Sequence, residues 1–129
     1  MLFNAEIYRQ LHAFAGLEAL VGTRISPHGH GLQGGTLPYV TYQRLSTERT
    51  YLHDQSAAIS KETVQVDCYA GDPDEARQVA VQVQQALDAW SSPEVNRAFI
   101  RDDEDFYERD TKLYRVRVEA EVWTTLTAV

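Results

Sequence analysis

His28 and His30, separated by one glycine, have the spacing of a metal-binding pair. Two imidazoles leave zinc short of ligands, so a third would have to come from His12, His53 or the acidic run Asp102-Asp103-Glu104-Asp105. The segment reads His-Gly-His-Gly-Leu-Gln-Gly-Gly-Thr, four glycines in nine residues, and solvated loop histidines account for it better. The acidic run lacks the Asp-x-Asp-x-Asp-Gly pattern of a calcium loop, and successive carboxylates on an extended chain diverge. It is expected to form a repulsive surface beside a bend at Phe106-Tyr107. Glu119 and Glu121 stand two residues apart, roughly 7 Å on one strand face, as a paired-carboxylate catalyst would require. Arg115 and Arg117 precede them on that face, which makes the four residues a ladder of alternating charge suited to water or to a partner subunit. Cys68 shares a face with Val64 and Val66 and reads as a buried, inert thiol. The glycines from Gly29 to Gly35 neither follow a strand nor open a helix, so a phosphate cradle is unsupported. No catalytic, cofactor-binding or metal-ligating residue is assigned, and no enzymatic activity is expected.

The elements that would position these residues follow from periodicity. Asn4 is placed as the cap of a first helix carrying Phe3, Ile7, Leu11 and Phe14 on one face. Gly16 interrupts it, and Leu17, Leu20 and Val21 add a further apolar turn before Gly22. Arg24 to Pro27 is a short extended piece. Leu37 to Leu45 reads as a strand, and Thr47 to Ala58, polar and without period, as a long loop or hairpin arm. In Lys61 to Ala70 the residues Val64, Val66 and Cys68 alternate with Thr63, Gln65, Asp67 and Tyr69. Asp72, Pro73 and Glu75 give a cap, a first helical position and a capping-box partner. The helix they open carries Ala76, Val79, Ala80, Val83, Leu87 and Trp90 on one stripe and ends at Ser91-Ser92-Pro93. Arg97 to Arg101 is a weak strand. Leu113 to Trp123 is the clearest one, with Tyr114, Val116, Val118, Ala120 and Val122 opposite the charged ladder. One wet face predicts an α+β fold: an antiparallel four-stranded sheet with two helices on one face, in the order α-β-β-α-β-β, with a long arm.

The chain has 129 residues, one domain's worth, so residues 1–129 are read as a single domain. Its net charge of −7, from 12 basic and 19 acidic residues, disfavours tight binding of a nucleic-acid backbone. One cysteine excludes an internal disulfide. The N-terminal residues lack a signal-peptide pattern, and no apolar run approaches the ~20 residues that cross a bilayer.

Six segments occur in an order that carries further information. They are Leu17 to Val21 with Gly22-Thr23-Arg24-Ile25-Ser26-Pro27, then Leu37-Pro38-Tyr39-Val40-Thr41-Tyr42, Val64 to Ala70, Asp74-Glu75-Ala76-Arg77, Leu113-Tyr114-Arg115-Val116, and Trp123. This succession resembles the tail completion, or tail terminator, family of long-tailed phages. The resemblance implies a structural virion protein of the tail or neck, assembled in the bacterial host cytoplasm. It implies a homo-hexameric ring, monomeric until it meets the tail tube, that caps the tube protein and receives the head connector. DNA would pass through the ring without specific binding, and neither cofactor nor membrane is involved.

An assembly surface is expected from three places: Arg49, Tyr51, Leu52 and His53 in the arm; Val81, about 140° from the helix stripe; and the ladder Arg115, Arg117, Glu119 and Glu121. The competing reading is a small-molecule-binding module or enzyme on the exposed sheet face. Another neck or tail-tube protein is a third. The even polarity of that face argues against a pocket.

Overall fold

The computed structural model describes residues 3–28, 36–51, 57–90, 92–93 and 95–127. The strands are β2 (Tyr39–Tyr51), β3 (Ala57–Ala70), β4 (Val95–Glu108) and β5 (Leu113–Thr127), preceded by a short β1 (Ile25–Pro27), and period-two alternation is plain in β5 and the inner half of β3. The helices are α1 (Phe3–Ala13), α2 (Ala15–Val21) and α3 (Pro73–Asp88). Asp72 caps α3, its carboxylate accepting from the Asp74 amide at 3.0 Å, with Pro73 in the first turn. The helix closes at Ala89, ahead of the Ser91-Ser92-Pro93 signal.

The sheet corrects the expected architecture. Among the described residues it has five strands in the order β1-β2-β3-β5-β4, and it is mixed, because β1 runs parallel to β2. The described elements follow one another as α-α-β-β-β-α-β-β, with three helices where two were expected. The extra strand is invisible as a pattern because three residues are too few to show a period. Tertiary bonds define it: the Val40 amide donates to the Arg24 carbonyl at 2.9 Å, and the His28 amide to that of Tyr42 at 2.8 Å. Arg24 also reaches back, its guanidinium donating to the carbonyls of Pro38 at 2.8 Å and Leu20 at 3.3 Å, so that α2, β1 and the start of β2 hang on one side chain. The extra helix arises at Phe14, whose extended backbone breaks α1 from α2; Gly16 lies inside α2, and Asn4 lies inside α1. The acidic run does not flank a bend. It lies within β4, where a register shift between Ile100 and Asp102 takes the place of the expected break.

One face of the sheet is buried. Val64, Val66, Cys68, Val116, Val118, Ala120 and Val122 line it, and α3 covers them with Ala76, Val79, Ala80, Val83, Ala86 and Leu87. Small residues on α3 let its axis approach β-branched valines closely. α1 docks beside α3, where Phe3 stacks on Trp90 and Gln10 donates to the Ala86 carbonyl at 2.8 Å. Among the described residues no helix is long and apolar enough to cross a membrane. Leu17 of α2 is fully buried in this core. Leu17→Ala should lower stability by about 2–5 kcal/mol in denaturant unfolding, the cost of a cavity under α2.

Candidate assembly interface

The arm is built from strand rather than loop. β2 pairs with β3 from Tyr39 opposite Tyr69 out to Tyr51 opposite Ala58, and β5 accompanies β3 to Thr127 opposite Ala57. Its polar segment shows no apolar period because both faces of β2 are wet: every residue from Arg44 to Tyr51 is exposed. Arg49 and Tyr51 therefore stand free on β2, with Tyr51 65% exposed. Leu52 and His53 lie outside the described residues. At the base of the arm a carboxylate is buried. Glu62 accepts hydrogen bonds from Thr47 and from Ser60, the latter at 3.0 Å, and Arg44 lies 3.7 Å away. This knot ties β2 to β3 beyond the register shift at Arg44 and Ser46.

The charged ladder lies on the open face, as its alternation requires, and its partners are within the chain. Arg115 holds Asp67 at 3.0 Å and approaches Glu108 at 3.1 Å, while its guanidinium stacks over Phe106. Arg117 pairs with Glu104 at 2.6 Å. Glu119 and Glu121 both approach Arg101, at 3.8 and 3.6 Å. The two glutamates thus share a cation instead of facing a substrate. Asp67 is 1% exposed although it sits on the wet face, because Gln65 donates to its second oxygen at 2.9 Å and Arg115 covers it. Alternation placed Asp67 correctly but gave no sign of this burial, which needs Arg115 from the paired strand as well as Gln65 from its own. Tyr39 and Tyr69 stack beside it with ring centroids 4.8 Å apart. Burial, reinforced by Asp67 and Glu108, pushes the Tyr69 hydroxyl up to about 12.

The acidic run divides by strand alternation. Glu104 faces the ladder. Asp103 and Asp105 face α3, where Arg77 pairs with both and Gln84 donates to Asp103 at 2.7 Å. A run read as purely repulsive is in large part a set of ion-pair partners. Val81 is 37% exposed and lines a shallow groove of about 380 Å³ between α2 and α3, together with Gly16, Leu20, Arg77, Gln78 and Gln82. The groove contains no nucleophile and no general base. Cys68 is fully buried, and burial raises its thiol far above the ordinary range, so thiolate chemistry is closed to it. His28 is exposed in a turn, and His30 lies outside the described residues. Among the described residues no three histidine, cysteine or acidic side chains gather in metal-binding geometry.

The Gln84 hydrogen bond, with Arg77 assisting, holds the Asp103 carboxyl below its usual value. A depressed folded-state value stabilises the fold above the ordinary carboxylate range, and that contribution is lost as pH falls through the folded value. In Asp103→Asn the drop in Tm between neutral and strongly acidic pH should be smaller than in the parent protein. After solvent screening the difference should be at most about 0.5 kcal/mol.

No curated protein matches this sequence. Among solved structures, a chain titled as part of the virion of a native gene transfer agent particle has the same fold. The likeness has a TM-score of 0.70 and covers 94% of this chain and 92% of that one at 21% identity. A family model described as tail completion protein gp17 matches residues 5–125, from within α1 to two residues short of the end of β5. The sheet with its covering helices is thus the family's unit, and the chain belongs to the tail completion protein gp17 family.

Proposed function

We propose that this structural protein of the virion tail closes into a homo-hexameric ring that caps the tail tube and receives the head connector. Membership of the tail completion family over residues 5–125 carries the reading. Surfaces that the fold leaves free support it: the strand arm with Arg49 and Tyr51, and Val81 over the groove. Leu52 and His53 extend the arm in sequence. Arginine and tyrosine are the usual anchors of such contacts. The ladder Arg115, Arg117, Glu119 and Glu121 adds a face whose ion pairs can be exchanged for pairs across a subunit boundary. The arginines of that face are already paired within the chain, which favours the assembly reading over a ligand pocket there. The net charge of −7 suits a channel through which DNA must slide, since like charge keeps the duplex from adhering.

Shortening the arm between Thr50 and Ile59, beyond the knot at Glu62, should leave a folded protomer, because it removes none of the described core residues. Tails completed with that variant should fail to join heads or should overgrow; normal infectious particles would contradict the role of the arm. Val81→Asp should impair tail completion while changing stability by no more than about 0.5 kcal/mol, as for an exposed site. A large loss of Tm would mark Val81 as core instead.

A further inference from the structure

A second exposed patch lies at the arm end of the open face. Phe99 is 43% exposed and sits diagonally from Trp123, which pairs in register with Lys61 on one side and Arg97 on the other. Each ring carries a cation: Lys61 Nζ lies 6.0 Å from the Trp123 centroid, and the Arg97 guanidinium 4.7 Å from that of Phe99. Ile59 extends the patch on β3. An aromatic surface set with an exposed arginine wants an apolar partner rimmed by carboxylates.

The opposite side of the molecule offers that partner. Leu20 and Val81 form the apolar part of the α2–α3 groove. Along its β4 side Asp103 and Asp105 share Arg77, and Asp74 is exposed one turn before Arg77 on α3. Three carboxylates against one guanidinium leave two negative charges at the rim. The aromatic patch lies on the open sheet face and the groove on the helix layer, so one molecule cannot bring its own two surfaces together. A two-fold dimer could pair them only if both lay on one face of the molecule, and they do not. A head-to-tail contact joins them, and such contacts close into rings.

We propose that the Phe99–Trp123 patch of one protomer seats on the α2–α3 groove of the next copy, with Arg97 of the first meeting Asp74 of the second. The proposal rests on the ring reading above and names its contact. Arg97→Asp and Asp74→Arg are both exposed substitutions that leave the core intact, and the second should lower Tm only slightly, through the lost first-turn charge of α3. Each alone, supplied in place of the parent protein, should lower the fraction of tails bearing a complete ring about tenfold, and the two in one chain should restore it. Phe99→Cys combined with Val81→Cys should give a disulfide ladder of multimers under oxidation, Cys68 being buried. Rings that form normally with either single reversal, or that yield no ladder, overturn this contact while leaving the ring intact. Particles with a single copy of the parent protein overturn the ring reading and the contact with it.

Discussion

Everything else in the molecule depends on α3 lying across the middle of the sheet. The sheet has one apolar face, built of valines, Ala120 and Cys68, and α3 presents alanines and valines to it at close range. That contact removes the largest continuous apolar surface from water and is the main favourable term in the fold. It commits each strand residue to a side. Once Val116, Val118, Ala120 and Val122 turn towards α3, Arg115, Arg117, Glu119 and Glu121 must face outward. The open face is therefore charged by construction, and Arg101, Arg115 and Arg117 are paired there with carboxylates from neighbouring strands. Burial on one side and satisfaction on the other leave little surplus chemistry, in keeping with a protein whose work is assembly.

The parts of the fold legible in the sequence are those with a long, one-sided period. β5 and the inner half of β3 show it plainly, and the Asp72-Pro73 cap announces α3 within one residue. The arm and β4 are strands whose alternation is hidden, because their outer residues are polar on both faces and pairing alone defines them. β1 is held by Arg24 and the backbone of β2, interactions between segments that no window of sequence contains. The sequence marks Arg24 to Pro27 as a short extended piece but not the strand it pairs with. The physical role of that piece is now visible as a clasp between α2 and the sheet edge.

The candidate surfaces were legible to a different degree. Val81 was singled out by helix angle, and it lines the groove. Asp67 carried no mark of its burial, because Arg115 and Gln65 cover it from a facing strand and from its own. Phe99 and Trp123 looked like ordinary strand residues. Their importance arises only when the register sets them side by side with Lys61 and Arg97 across three strands. Surfaces made from several strands are written in the register, and register is a property of the folded sheet.

The opposed placement of patch and groove gives the protomer a polarity, and a polar contact repeated by rotation is the economical way to build a closed collar on a tube. Electron microscopy of intact particles, at a resolution that traces single chains at the neck, tests this most directly. The account predicts several copies of this chain in one closed ring at the head-proximal end of the tail tube, each arm overlying its neighbour. A single copy at that position, or the absence of the chain from mature particles, would contradict it.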